Sequence, residues 1–220
     1  MRIEEYMKKL IRSLKQQFDG RLVYIGLQGS YMRGEANENS DIDVMAVIDN
    51  MDVSDMEAYR IIVKSMEEPE KTCGFICSKK DLANWNPLEI NHLIHTTKDY
   101  CGVLRTLVPA YTEHDIVNFV KMSVNNLYHE ICHRFIHREE ESSAQMLSGT
   151  YKGVFFILQN LYFLKHGKFY QTKAELLQAI NGRDHDILQR ALDLNNGMHF
   201  EFRDCYEMLF KWCQETMQSL

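Results

Sequence analysis

Apolar residues recur at helical spacing at the start of the chain, with charged residues between them. They lie mainly three or four positions apart, at Ile3, Met7, Leu10, Ile11, Leu14 and Phe18. This periodicity indicates an amphipathic helix with one face against a core. Gly20 follows the last apolar residue, and glycine commonly forms the C-cap of a helix. The pattern therefore predicts a first helix that stops at Gly20.

Short runs of β-branched and aliphatic residues come next and are typical of strands. They occupy residues 22–27, 42–48 and 72–78, and a stretch at helical spacing, residues 54–66, separates the last two runs. A turn-rich polar segment joins the first two. A strand, a loop, a strand, a helix and a strand within about 60 residues predict a small mixed sheet with helices.

From Thr112 onward, strand signals disappear and the helical spacing of apolar residues continues. Helices are predicted over residues 112–138, 142–166, 184–195 and 201–217, and another begins at Thr172. Thr172 and Glu175 form a T-x-x-E capping box at that start. The whole pattern predicts an α+β fold, in which a mixed-sheet domain, residues 1–110, is followed by a C-terminal helical bundle, residues 111–220.

Composition narrows the class of protein. The 220 residues are 45% hydrophobic and 25% charged, which suits a globular protein with a real core. A formal charge of −6 disfavours a surface that neutralises many nucleic-acid phosphates. The six cysteines are scattered, and the first residues have no apolar signal-peptide centre. We therefore predict a cytoplasmic protein that binds neither nucleic acid nor a membrane.

Candidate chemistry is concentrated in residues 26–49. Asp41 and Asp43 are two positions apart on the second predicted strand, so their side chains should point to the same face, while Ile42 and Val44 should face the core. Magnesium takes oxygen ligands and commonly binds through one or two carboxylates together with substrate phosphates. Asp41 and Asp43 are therefore predicted to be metal ligands and catalytic residues.

A predicted phosphate site precedes the two aspartates. Gly29 and Ser30 follow the first strand, where a glycine lets backbone N–H groups approach an anion and a hydroxyl adds a hydrogen bond. Arg33, one helical turn further on, should reach a phosphate oxygen. Ser40 should brace the turn that leads into Asp41. Gly29, Ser30, Arg33 and Ser40 are thus predicted to bind a nucleotide.

The order G-S-x-x-R-G, a polar loop and then S-D-I-D-V resembles the signature of the DNA polymerase beta-type nucleotidyltransferase superfamily. The later runs CGFICSKKDLANW and YKGVFFILQNLYFLKHGKFYQTKAEL resemble parts of the branch that contains the bacterial aminoglycoside and lincosamide resistance enzymes. The resemblance implies an enzyme that holds ATP or another nucleoside triphosphate with two Mg²⁺ ions. It implies transfer of a nucleoside monophosphate to a hydroxyl of a small acceptor, such as an aminoglycoside-like molecule, with release of pyrophosphate. In related small enzymes the helical domain helps to bind the acceptor, and a homodimer often completes the cleft.

One departure from the family concerns a third carboxylate, which catalytic members usually supply from a later strand. The run 72–78 contains none, and the nearest acids are Asp81, Glu89 and Asp99. Glu89 is slightly preferred as this third catalytic carboxylate, the candidate general base. In the helical half, Lys152 is a candidate for contact with the triphosphate, although a lysine there equally suits a solvated or snorkelling side chain.

Two other functions remain open. Because the third carboxylate is missing, the chain suits a non-catalytic nucleotide-binding or regulatory protein, such as an antitoxin-like partner of a toxin. Residues 129–133 also match H-E-x-x-H, which on a helix places two histidines on one face for zinc, with the glutamate as base. A zinc hydrolase is the more remote alternative, because with His137 these histidines also suit a polar stripe along an interface or an acceptor pocket.

Overall fold

The computed structural model describes residues 2–220, with side chains at all of these positions except 141 and 145. The chain forms two compact units, Met1–Tyr111 and Thr112–Leu220. The first contains α1 (Ile3–Phe18), β1 (Leu22–Leu27), α2 (Gly29–Arg33), β2 (Ile42–Ile48), α3 (Val53–Lys64), β3 (Thr72–Ser78), α4 (Lys79–Ala83), α5 (Pro87–His95) and β4 (Lys98–Cys101). The second contains α6 (Glu113–His137), α7 (Glu140–His166), α8 (Lys173–Ala179), α9 (Gly182–Asn195) and α10 (Phe202–Gln218).

The sheet of the first unit is mixed, as the strand pattern predicts. Its order is β3-β2-β1-β4, with β2 and β3 parallel and β1 antiparallel to both of its neighbours. The edge strand β4 was not predicted. It has only four residues, and its first two, Lys98 and Asp99, are charged and exposed, so it lacks the apolar run that marks a buried strand. Short edge strands with charged side chains are a common way to end a sheet.

The two faces of the sheet cover different apolar clusters, because side chains alternate along a strand. Ile42 and Val44 of β2 are buried with α1, as predicted. Met45 and Val47 face the other side and pack with Leu82 of α4. Alternation places the side chain of residue 43 on this second face, together with Met45 and Val47.

The end of α1 differs from the prediction by one residue. Asp19, not Gly20, is the C-cap: it has a φ of 45°, and its N–H donates to the carbonyl of Lys15. Gly20 lies inside the following 3-10 turn, Asp19–Arg21. The expectation that Gly20 caps the helix is therefore wrong, and aspartate is among the residues that adopt a positive φ more readily than most.

The second unit is a helical bundle, as predicted. A capping box of Thr112 and Asp115 starts α6, and Gly167, at a φ of 66°, ends α7. The predicted capping box of Thr172 and Glu175 starts α8. The core of the unit includes Val120, Val124, Tyr151, Phe155, Leu209 and Trp212.

The six cysteines are free thiols, and Cys77, Cys205 and Cys213 are buried. These three are part of the apolar clusters of their units. No helix in the described part of the chain, residues 2–220, combines the length and the apolar character needed to cross a membrane.

Candidate active site

The two aspartates lie at the start of β2. Asp43 is the second residue of the strand and is half-buried, whereas Asp41 precedes the strand and is exposed. The prediction that both lie on the strand is therefore wrong for Asp41, because strand pairing begins at Ile42. The carboxylates nevertheless interact. Burial, followed by repulsion from Asp41, raises the pKa of Asp43.

Gly29 brings the start of α2 against Asp43. Its φ is 67°, and a Cβ at this position would collide with the Asp43 carboxylate. The preceding residue, Gln28, donates its backbone N–H to the carbonyl of Asp43 at 2.8 Å. The Gly-Ser segment and the second aspartate, 13 and 14 positions apart in sequence, are thus neighbours in the fold.

Arg33 ends α2 and supplies positive charge to this region. Its attraction lowers the pKa of Asp43 and so opposes the effect of burial. Arg33 donates from Nε to Glu35 Oε2 at 2.8 Å, and the two side chains are only 10% and 22% exposed. Glu35 was not singled out from the sequence. Its position two residues after the arginine is a weak signal, because nothing in that spacing requires the two side chains to meet.

Ser40 closes the turn that leads into β2. Its Oγ accepts the backbone N–H of Asn37 at 2.9 Å, and its own N–H donates to the carbonyl of Asn37 at 3.1 Å. The predicted bracing of this turn is confirmed. Contact between Ser40 and a nucleotide stays a prediction.

This arrangement coincides with a known domain. The nucleotidyltransferase domain family matches residues 7–99, a range that runs from within α1 to within β4 and contains Gly29, Asp41 and Asp43. Residues 7–99 are a nucleotidyltransferase domain. The resemblance of the sequence to that superfamily is confirmed.

Two proteins extend the comparison. A candidate protein adenylyltransferase from Methanocaldococcus jannaschii is 43% identical over 49 residues, which are 22% of this chain and 49% of the relative. This chain therefore spans about half the length of the curated relative it matches. The structure of a spectinomycin adenyltransferase from Enterococcus faecialis, with ATP and spectinomycin, has a TM-score of 0.60 at 13% identity. The similarity covers 98% of this chain and 99% of the chain of that enzyme, and it shows that the two share a fold.

The acids considered for a third carboxylate in the nucleotidyltransferase domain all have structural partners. Asp81 accepts the backbone N–H of Ser78 in a capping box at the start of α4. Glu89 accepts from Trp85 Nε1 at 2.7 Å, and Asp99 accepts from the Tyr24 hydroxyl at 2.6 Å. Among the side chains that the structure describes, no group of three or more His, Cys, Asp or Glu is arranged to hold a metal ion. The catalytic role of Glu89 stays a prediction.

His92 of α5 is a residue of the nucleotidyltransferase domain that the sequence did not indicate. Burial, followed by the nearby His95 and Arg33, lowers the pKa of His92 to about 4. The imidazole is therefore neutral at pH 7, and it lies close enough to Arg33 to be affected by its charge. Only the packing of α5 in the domain reveals this, since a lone histidine in a sequence carries no such signal.

Two further candidates lie in the helical unit. Lys152 is exposed on α7, and its contact with a triphosphate stays a prediction. Glu130, the proposed base of the H-E-x-x-H segment, accepts from Arg134 Nε at 3.0 Å and from the Thr150 hydroxyl at 3.3 Å. This carboxylate is thus engaged with protein groups, which does not favour a zinc hydrolase.

Proposed function

We propose that this chain transfers a nucleoside monophosphate from ATP to a hydroxyl of a small molecule and releases pyrophosphate, with Mg²⁺ held by Asp41 and Asp43. The observation that carries the proposal is the packing of Gly29 against the Asp43 carboxylate within the nucleotidyltransferase domain. It brings the start of a helix, which suits a phosphate, directly beside a carboxylate pair, which suits a metal.

The carboxylate pair has the chemistry that magnesium requires. Burial and the charge of Asp41 raise the pKa of Asp43, and a bound divalent cation would lower it. The donors are oxygens, which Mg²⁺ prefers. When bound, magnesium would neutralise charge on the phosphates and orient them for displacement. The two-ion arrangement implied by the family belongs to this proposal.

The side chains of the protein would hold and orient the triphosphate. Gly29 and Ser30 would present the start of α2 to a phosphate. Arg33 would add a charged hydrogen bond, and its contact with Glu35 limits the orientations open to the guanidinium. Ser40 would keep the turn before Asp41 in place.

Two more residues have roles in this proposal, one in the helical unit and one as the proton acceptor. Lys152 would contribute a further positive charge to the triphosphate. Glu89 would take the proton of the attacking hydroxyl. Its Oε2 accepts from Trp85, so the other carboxylate oxygen, Oε1, would accept the proton.

Two acceptor classes follow from the comparisons. The Enterococcus faecialis enzyme acts on spectinomycin according to its name and shares the fold, which supports a hydroxyl-bearing, aminoglycoside-like acceptor. The Methanocaldococcus jannaschii relative is a candidate protein adenylyltransferase, which supports a protein hydroxyl instead. We favour the small molecule, because the likeness to the spectinomycin enzyme covers 98% of this chain and the other covers 22%.

The decisive experiment measures pyrophosphate release from each of the four nucleoside triphosphates with Mg²⁺. The acceptors are aminoglycosides, lincosamides and other polyols, and labelled AMP transfer to proteins of a cell extract is followed in parallel. In a variant with both Asp41→Asn and Asp43→Asn, we expect release to fall by about 100-fold or more, since a catalytic metal contributes several kcal/mol to the transition state.

Three outcomes separate the functions. Release that requires both an acceptor and the two aspartates supports the transferase and identifies its acceptor class. Full activity in the double variant contradicts the assignment. Mg²⁺-dependent binding of a triphosphate without release for any acceptor favours the non-catalytic, regulatory alternative.

A further inference from the structure

Three histidines form a stripe on α6, outside the nucleotidyltransferase domain. His129, His133 and His137 follow one another at intervals of four residues, and all three are exposed. Side chains four residues apart on a helix are neighbours on its surface. The ring centres of His129 and His133 are 6.2 Å apart, and those of His133 and His137 are 4.8 Å apart.

Only one of these two ring separations allows both imidazoles to bind the same metal ion at an ordinary angle. A metal about 2.0–2.1 Å from an imidazole nitrogen lies about 3.2 Å from the ring centre, so two rings at an angle of about 90–110° at the metal have centres about 4.5–5.2 Å apart. The 4.8 Å between His133 and His137 falls in this range. The 6.2 Å between His129 and His133 would require an angle of about 150° at the same bond lengths.

The pair selected by geometry is not the pair selected by the sequence motif. H-E-x-x-H joins His129 to His133 and makes Glu130 the catalytic base. Glu130 is instead engaged with Arg134 and Thr150. The described residues also offer no cluster of three ligands, so this stripe supplies two imidazoles and leaves the other coordination positions to water.

We propose that His133 and His137 form a two-histidine site for a divalent transition-metal ion at the C-terminal end of α6. Imidazole suits Zn²⁺, Ni²⁺ and Cu²⁺, whereas Mg²⁺ prefers oxygen ligands. The site is therefore chemically distinct from the Asp41 and Asp43 pair, and it does not depend on the proposed transferase activity. A metal there would bridge the last turn of α6, which ends at His137, and would stabilise the folded form by mass action.

The test is a Ni²⁺ titration of the untagged full-length chain in excess Mg²⁺, in which isothermal calorimetry measures the binding. Loss of an outer-shell partner typically weakens metal binding by about 10–100-fold, so loss of one of two direct ligands should cost at least about tenfold. We expect this loss in His133→Ala and in His137→Ala. His129→Ala, the matched control on the same stripe, should bind as the wild type does.

Two further measurements make the result specific. Paramagnetic broadening by Ni²⁺ should affect the imidazole resonances of His133 and His137 first. Circular dichroism should show unchanged helix content in all three variants. Wild-type affinity in His137→Ala would overturn the proposal. An equal loss in His129→Ala and His137→Ala would also overturn it, because His129 would then be a ligand too. A loss in His129→Ala without one in His137→Ala would favour the pair in the H-E-x-x-H motif.

Discussion

At the scale of single residues, the proposed site depends on the absence of a side chain at Gly29. The Asp43 carboxylate occupies the space that a Cβ at position 29 would need. The left-handed φ of 67° adds a second requirement for glycine. Gly29 therefore serves the conformation of the backbone and the position of the carboxylate at once, and the two roles are separable by experiment.

Gly29→Ala should lower both stability and transfer. A non-glycine residue in the left-handed region costs about 1–2 kcal/mol. The added methyl group must also displace Asp43, and a misplacement of about 1 Å at a reacting centre can reduce the rate about 100-fold. The measurements are the free energy of unfolding in urea and the rate of Mg²⁺-dependent pyrophosphate release.

Gly34→Ala is the matched control for this prediction. Gly34 has a φ of 70°, and a Cβ there would meet no atom within 4 Å. This variant should lose a similar amount of stability and keep most of its activity. Equal losses of activity in the two variants would show that the backbone conformation, and not contact with Asp43, is what matters.

At the scale of elements, an ion pair joins the turn before β1 to the start of α3. Arg21 donates to both carboxylate oxygens of Asp55, at 2.8 and 2.6 Å. Asp55 is buried and also accepts the backbone N–H of Asp52 in a capping box. One carboxylate thus satisfies a helix terminus and fixes the entry to a strand.

Asp55→Asn should destabilise the chain by about 1–2 kcal/mol at pH 7. This is the lower part of the range for hydrogen bonds to charged groups, because the Arg21 side chain is 45% exposed. The hydrogen bonds from Arg21 hold the pKa of Asp55 below its ordinary value. The stabilisation is therefore complete above the unfolded pKa of about 4 and is lost as the pH falls through the lower folded pKa. The difference between wild type and variant in urea unfolding should shrink below about pH 4.

Glu57→Gln provides the comparison on the same helix. Glu57 is exposed, and surface substitutions of this kind usually change stability by less than about 0.5 kcal/mol. A difference at pH 7 that is equally small for Asp55→Asn, or one that persists unchanged at pH 3, would contradict the role assigned to the ion pair.

At the scale of the whole molecule, the two units have separate apolar cores. The core of the helical unit and the residues packed against it all come from residues 119–220. The clusters on the two faces of the sheet all come from residues 3–108. Because each unit buries its own apolar surface, each has the main source of stability that independent folding requires.

The fragment 112–220 should therefore fold by itself. We expect a helical circular dichroism spectrum and a single cooperative unfolding transition in urea, as small domains usually show. Trp212, which is buried and donates from its indole nitrogen to Asp184, gives an independent fluorescence signal. A fragment that is helical but unfolds without a cooperative transition would show that the bundle requires the first unit.

Much of the architecture of this molecule is predictable from the sequence, because long periodic patterns and capping residues act locally. The runs 22–27, 42–48 and 72–78 are the first three strands. The capping box at Thr172 is where the pattern places it. The strand β4 and the short helices α4 and α5 cannot be predicted in this way. Each has fewer than ten residues and too little apolar periodicity to be distinguished from a loop.

The candidate site, too, has features that the sequence predicts and features that only the tertiary structure shows. The types and spacing of Gly29, Ser30, Asp41 and Asp43 predicted a phosphate site and a metal site, and the resemblance of this motif to a known superfamily implied nucleotidyltransferase chemistry. Only the tertiary structure shows that Gly29 touches Asp43, that Arg33 is held by Glu35, and that Glu130 is engaged elsewhere. Such contacts depend on how β2 and its neighbouring helices pack against one another, and spacing along the chain does not determine that packing.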